Sequence, residues 1–205
     1  MVEAVVFDIG NVFLPWQPQA NYSAQFGPER TAAFFASVPI EAANAACDAG
    51  APFPQVILDL IPQHPQWTRE IEFWVAHWVH MIAPPHMDSV TILQELREAG
   101  VPCHALSNFG KETWDIACAQ FEFLSWFDDT VISGHIGLTK PDPAIYAYLE
   151  DRVGLTGDQI FFTDDLEANI VAAQTCGWQV LQFQEAASLR AKLVALGLLS
   201  ERIYG

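Results

Sequence analysis

A chain of 205 residues, 51% of them hydrophobic and seven of them tryptophan, has enough apolar mass for one core domain with a modest insertion, which argues against disorder. Nine basic residues against 25 acidic ones give a formal charge of −16, which sets aside nucleic acid and anionic membrane surfaces as partners. The same balance means that an anionic ligand needs local positive charge or a metal.

Near the N-terminus, Val5-Val6-Phe7 climbs to Asp8, and Gly10 and Asn11 then break the pattern. A short β-branched run ended by a turn signal reads as a strand buried on both faces. A carboxylate at its C-terminal tip lies where open α/β sheets hold ligands. Residues 15–85 have a different texture, rich in Ala, Phe and Trp and punctuated by prolines. Glu29–Ser37 and Arg69–Ile82 have helical composition there, so a compact bundle of short helices is expected, ending at Pro84-Pro85.

From Asp88 the pattern becomes regular. Asp88 is placed to cap a helix with Val90, Leu93 and Leu96 on one face, and Gly100 to end it. Strands are expected at Val101–Leu106, Thr130–Ile132, Gln159–Thr163 and Gln179–Phe183. Helices are expected at Lys111–Ala119, from Pro143 with Asp142 as cap, at Glu167–Cys176 and at Ala186–Leu196. A loop through Gly134 and Gly137 leads to Lys140. This alternation implies an α/β fold, a Rossmann-like parallel sheet with helices on both faces. The expected division is a core of residues 1–14 and 86–205 and an all-helical cap of residues 15–85.

Asp8, Ser107, Lys140 and Asp164-Asp165 each fall at or just beyond an expected strand end, or in a loop leading from one. In a parallel sheet those ends share an edge, so the residues converge. Three clustered carboxylates repel one another unless a cation sits among them. Oxygen-only ligation suits a hard ion such as Mg²⁺, which takes one or two carboxylates plus waters and phosphate oxygens. Lys140 supplies a point charge, Ser107 a hydroxyl, and the amides opening the next helix further donors for a phosphate. A carboxylate, a metal and a lysine are what nucleophilic displacement at phosphorus needs. Taken singly, Asp8, Ser107-Asn108 and Asp164-Asp165 read equally well as helix caps or solvated turns.

Taken together they resemble the haloacid dehalogenase (HAD) superfamily, in the branch with a helical cap after the first strand. Four motifs occur in order: Phe7-Asp8-Ile9-Gly10-Asn11-Val12, Leu106-Ser107-Asn108, Lys140-Pro141-Asp142-Pro143, and Phe161-Phe162-Thr163-Asp164-Asp165 followed by Asn169. The resemblance implies that Asp8 attacks phosphorus to form an aspartyl-phosphate. It implies Mg²⁺ held by Asp8, the Gly10 carbonyl and Asp165 with Asp164 nearby, and Ser107 and Lys140 on the phosphoryl group. The expected activity is phosphoric monoester hydrolysis of a small phosphorylated metabolite, such as a sugar phosphate. Asn11, Trp16, Asn44, Asn108 and Phe109 are the candidates for substrate contact, and Asp48, with Asn44 and Trp16 in or beside the cap, is a candidate to face the leaving group.

One departure stands out. Most phosphatases of the superfamily carry a second aspartate two residues after the nucleophile as general acid and base, and here that residue is Gly10. General acid–base help is worth roughly 10²–10⁴ in rate, so slow turnover, or an acid from elsewhere, is implied. Two rivals follow: a metal-independent 2-haloacid dehalogenase, and a catalytically weak metabolite-binding or regulatory protein. Gly10-Asn11-Val12, where dehalogenases carry Tyr-Gly-Thr, and the retained acidic pair at 164 and 165 disfavour the first.

His77 and His80 are three apart without a third ligand, so a packed face is expected of them. The tryptophans at 67, 74, 78, 114, 126 and 178 are expected to pack. Cys47, Cys103, Cys118 and Cys176 are scattered, which favours reduced thiols in a cytoplasmic protein over disulfides. No run approaches the roughly 18 apolar residues of a membrane span. Glu3 and Asp8 inside the first apolar stretch argue against a signal peptide. Monomer and homodimer both stay open.

Overall fold

The computed structural model describes residues 1–200. Its centre is a parallel sheet of five strands, β1 (Ala4–Phe7), β2 (Cys103–Ser107), β3 (Asp129–Ile132), β4 (Ile160–Asp164) and β5 (Gln179–Gln182), in the order β3-β2-β1-β4-β5. β1 is central, hydrogen-bonded to β2 on one side and β4 on the other, and all four of its residues are buried. That placement explains its run of apolar residues without alternation.

The pleat sends successive side chains to opposite faces. Val5 and Phe7 join one apolar cluster with Phe13, Phe123 and Phe127. Val6 joins the other, with Leu106, Ile145, Tyr146, Phe162 and Trp178. Helices α6 (Met87–Glu98) and α11 (Ala186–Ala195) contribute Leu93, Leu96, Leu189 and Leu193 to the first cluster. Helices α9 (Pro143–Val153) and α10 (Glu167–Thr175) contribute Ile145, Tyr146, Leu149, Ile170 and Ala173 to the second.

Between β1 and α6 lies an all-helical insert: α1 (Pro18–Phe26), α2 (Pro28–Ser37), α3 (Ile40–Asp48), α4 (Gln55–Leu58) and α5 (Thr68–His77), the last continuing as a tighter turn over Trp78–Ile82. Aromatic packing holds it together. Tyr22 stacks on Phe34 at 5.0 Å and meets Phe73 edge-on at 5.1 Å, while Trp16 meets Trp74 at 5.8 Å. Such pairs are worth about 0.5–1.5 kcal/mol each beyond the area they bury. Tyr22, Phe34, Trp74 and Trp78 belong to the same cluster as Phe7 and Phe13, so apolar contact runs unbroken from sheet to insert.

Local differences from the expected elements have physical causes. α6 begins at Met87, with His86 before it, because the His86 amide is tied to the Phe13 carbonyl at 2.8 Å. Asp88 therefore sits inside the first turn, where its charge favours the positive helix end without capping it. Asp142 does cap α9, accepting the Ala144 amide at 2.9 Å ahead of Pro143. The expected loop after β3 contains a one-turn helix, α8 (Ser133–Ile136), and α7 (Lys111–Gln120) follows β2.

Candidate active site

Register brings the four motifs to one edge. Phe7 pairs with Ala105 of β2 and Thr163 of β4, so Asp8, Ser107 and Asp164 all emerge at the C-terminal tips of adjacent strands. The Asp8 amide still bonds the Thr163 carbonyl at 2.9 Å. The chain then turns sharply: the Phe13 and Leu14 amides return to the Ile9 carbonyl at 2.9 and 3.0 Å. Asn11 adopts φ 53°, a left-handed conformation that asparagine tolerates better than most residues.

Asp8 is held by one oxygen. Its Oδ1 accepts the Ile9 amide and the Ser107 hydroxyl, both at 2.7 Å, and lies 2.9 Å from Lys140 Nζ. Among the described residues no hydrogen bond reaches Asp8 Oδ2. Lys140 Nζ also donates to Asp164 Oδ2 at 2.6 Å, and its side chain is 1% exposed. Asp164 has no free oxygen: Oδ1 accepts the Leu166 amide at 2.8 Å, and Asn169 Nδ2 reaches both oxygens at 3.0 and 2.9 Å. Asp165 Oδ2 accepts from Asn11 Nδ2 at 2.9 Å, and Asn11 Oδ1 takes the Trp16 amide at 2.9 Å.

Burial pushes the Asp8 carboxyl up to about 6; Lys140 opposes this and the Asp164 charge adds to it. Burial by itself would lower Lys140, yet Asp8 and Asp164 more than offset that and hold the ammonium above its usual range. Asp165 is raised by burial, with the Asn11 hydrogen bond working against the rise.

Ligand oxygens of Asp8, Asp164 and Asp165 lie within 4.8 Å of one another, the one group of three metal-competent side chains among the described residues. An all-carboxylate set with one fixed lysine fits a hard divalent cation. The open positions are Asp8 Oδ2 and the second oxygen of Asp165. Asp164, engaged at both oxygens, anchors Lys140.

Asp8, Lys140 and Asp165 floor a cavity of about 300 Å³. Asp8, Gly10, Asn11, Asn108, Phe109, Lys140, Asp165, Leu166 and Asn169 come from the strand tips and their loops, and Trp16, Asn44, Asp48, Trp78 and Ile82 from the insert. A wider hollow of about 660 Å³ lies around Arg97, Glu98, Pro102 and Asp128, ahead of β2. It lies at the start of β2, away from the C-terminal strand tips where the four motifs meet.

All five residues expected to touch substrate line the smaller cavity, but Asn108 already has a structural task. Its Nδ2 donates to the Lys140 carbonyl at 2.9 Å and its Oδ1 accepts the Lys140 amide at 2.8 Å, which clips the lysine segment to β2. Phe109 packs edge-on between Trp78 and Trp114. Ser133 and the lining by Leu14, Ile82 and Leu166 were missed in the sequence. The Ser133 hydroxyl accepts the Phe109 amide at 2.9 Å and donates to the Asp48 carbonyl at 2.5 Å. No local signal marks it, since its partners are 24 and 85 residues away. His77 and His80 lie outside this site, their Nδ1 atoms 3.3 Å apart and His77 stacked on Phe73.

Comparison with known proteins agrees with this geometry. A family model described as haloacid dehalogenase-like hydrolase matches residues 2–177. Two curated relatives match weakly: drimenol cyclase drtB of Aspergillus calidoustus, 24% identical over 106 residues, and the (S)-2-haloacid dehalogenase of Pseudomonas fluorescens, 26% identical over 96 residues. The matches take in 50% and 47% of this chain but only 20% and 42% of those proteins. Among solved structures, the HAD family enzyme BT-2542 of Bacteroides thetaiotaomicron superposes with a TM-score of 0.72 at 21% identity, over 89% of this chain and 94% of its own. That enzyme has also been solved in complex with magnesium and inorganic phosphate. At this identity the likeness establishes the fold.

Proposed function

Because the chain belongs to the haloacid dehalogenase-like hydrolases, we propose that it is a Mg²⁺-dependent phosphatase of a small phosphorylated metabolite, a sugar phosphate being the leading class. The observation that carries the reading is the division of labour among the carboxylates. Asp8 is buried, oriented by three donors on Oδ1, and open at Oδ2; Asp164 fixes the lysine; Asp165 keeps an oxygen for a cation.

In this reading Asp8 attacks phosphorus and forms an aspartyl-phosphate, which water then hydrolyses. Lys140 holds the Asp8 carboxylate ionised and faces the phosphoryl oxygens, and the Ser107 hydroxyl keeps Asp8 in one rotamer. Mg²⁺, held by Asp8, Asp165 and the Gly10 carbonyl, would supply the charge neutralisation that a phosphate dianion needs in a cavity whose walls carry one cation and three carboxyl groups, those of Asp8, Asp48 and Asp165. Residues 15–85 act as the cap over a core of residues 1–14 and 86–205, shielding the reaction from water and presenting Trp16, Asn44 and Trp78 to the leaving group.

Purified protein assayed against sugar phosphates and an aryl phosphate, with Mg²⁺ and with EDTA, is expected to release phosphate only with metal. Asp8→Asn is expected to abolish that release. Metal-independent release, or none at any metal concentration, overturns the reading.

The similarity to an (S)-2-haloacid dehalogenase favours a second reading, attack by Asp8 at carbon. The walls speak against it. A haloacid carboxylate entering the cavity would find Asn44 and Asp48 on the insert side and no cation there. Chloride release from 2-chloropropionate in EDTA would reverse that judgement. Tight binding of a phosphate analogue without turnover would point instead to a metabolite-binding role.

A further inference from the structure

Gly10 stands where a general acid would be expected, so the leaving group needs its proton from another quarter. Asp48 is the single titratable side chain that the insert contributes to the cavity wall. It is the last residue of α3, and its backbone is tied to the site's own scaffold. The Asp48 carbonyl accepts from the Ser133 hydroxyl at 2.5 Å, and that hydroxyl in turn holds the Phe109 amide, two residues past Ser107.

Two glycines let these segments close. A Cβ on Gly134 would lie 2.5 Å from the Lys111 nitrogen and 2.7 Å from the Phe109 oxygen; one on Gly110 would lie 3.3 Å from the Cys47 side chain. The Asp48 carboxyl is thereby registered against the strand tips from the opposite wall. The Gly110 amide hydrogen-bonds it, and Asn44 Nδ2 lies 3.4 Å from its Oδ2 while Asn44 Oδ1 meets Trp78 Nε1 at 3.3 Å.

We propose that Asp48 is the general acid–base group of this enzyme, delivered by the helical insert in place of the carboxyl missing at Gly10; this rests on the phosphatase reading above. As Asp8 attacks, the P–O bond to the leaving group breaks and its electron pair goes to the leaving oxygen, which takes the Asp48 proton. The resulting Asp48 carboxylate then accepts a proton from the water that attacks the aspartyl-phosphate. The bond between phosphorus and Asp8 breaks, free phosphate departs, and both carboxyls return to their starting states.

The surroundings suit that cycle. Burial raises the Asp48 carboxyl to about 7, the Gly110 amide opposes the rise, and the Asp8 charge adds to it. The position of Asp48 at the C-terminal end of α3, the negative end of the helix dipole, also favours the neutral acid. The other ionisable groups around it are Asp8, Asp165 and Lys140 across the cavity, Cys47 beside it, Glu112 on α7, and His135 on α8. Glu112 is engaged by the Phe53 amide at 3.3 Å, and burial pushes the Cys47 thiol up to about 11. A group near 7 exchanges its proton readily at neutral pH.

The test compares Asp48→Asn with wild type on two substrates in Mg²⁺: p-nitrophenyl phosphate, whose leaving group departs unprotonated, and a hexose phosphate, whose alkoxide does not. The expected loss in kcat/KM, which ends at cleavage of the leaving-group bond and leaves out the hydrolysis common to both substrates, is roughly 10²–10⁴-fold on the hexose phosphate and under about tenfold on the aryl ester. Asp48→Glu is expected to recover part of the first loss. Equal losses on both substrates, or none on either, overturn the proposal while leaving the Asp8- and metal-dependent phosphatase reading intact. Failure of Asp8→Asn or EDTA to stop release overturns both. Should Asp48→Asn not fold, wild-type pH profiles decide: kcat/KM for the hexose phosphate should fall above about pH 7 and that for the aryl ester should not, whereas identical profiles refute the assignment.

Discussion

Lys140 offers the sharpest test of the electrostatics. Its ammonium is sealed between Asp8 Oδ1 at 2.9 Å and Asp164 Oδ2 at 2.6 Å, with the three side chains at most 9% exposed. Lys140→Met keeps the length and apolar stem but leaves two buried carboxylates facing each other. Removing one partner of a buried ion pair costs about 3–5 kcal/mol, because the remaining charge is stranded. For a chain of this length 1 kcal/mol moves Tm by about 2–4 °C, so the variant should melt about 6–20 °C below wild type in EDTA.

Mg²⁺ should then restore more stability to the variant than to wild type, since a cation among Asp8, Asp164 and Asp165 replaces the missing positive charge. A ligand at a hundredfold its Kd contributes about 2.7 kcal/mol, which sets the scale of the recovery. Calorimetric melts of both proteins, with EDTA and with saturating Mg²⁺, measure both effects. A variant melting within about 2 °C of wild type in EDTA, or responding less to Mg²⁺ than wild type does, would refute the account of a carboxylate cluster held by one lysine.

Asn169→Ala removes the side-chain amide that donates to both oxygens of Asp164 and should cost about 1–3 kcal/mol, read as a lowered denaturation midpoint at unchanged slope. Gly134→Ala places a methyl against the Lys111 nitrogen and the Phe109 oxygen, backbone atoms that cannot swing aside, so soluble yield and melting temperature should both drop. Asp165→Asn should weaken Mg²⁺ binding in titration calorimetry while moving the metal-free Tm little, because Asp165 is half-buried and shares no hydrogen bond with Lys140. Arg152 pairs with Asp129 at 2.7 Å on the surface and holds that carboxyl below its usual range. The pair's contribution of about 0.2–1 kcal/mol is present above the unfolded carboxyl value and is lost as pH falls through the lowered one. A double-mutant cycle at pH 7 and at pH 2.5 checks both size and sign.

Much of this protein is written in short-range patterns. The apolar run before Asp8, the Asp142-Pro143 helix start and the alternation of strands and helices each follow from local physics, and the structure has each where the residues called for it. The four motifs were legible too, because a parallel sheet obliges its strand tips to share an edge, whatever fills the sequence between them.

What tertiary structure alone decided is how the polar groups are divided. From the local pattern, Asn108 is as good a substrate contact as Asn11, and only the family resemblance sets Asp165 as a ligand apart from Asp164. Only the three-dimensional partners show Asn108 clipped to the Lys140 backbone and Asp164 engaged at both oxygens. The same holds for Asp48, which stands 40 residues after Asp8 in the numbering with no motif around it. Its place in the cavity wall comes from Ser133 and two glycines that allow backbone to approach backbone. Hydropathy and spacing record what one residue asks of its neighbours in the chain, whereas hydrogen bonds between segments scores of residues apart exist only once the sheet has brought those segments together.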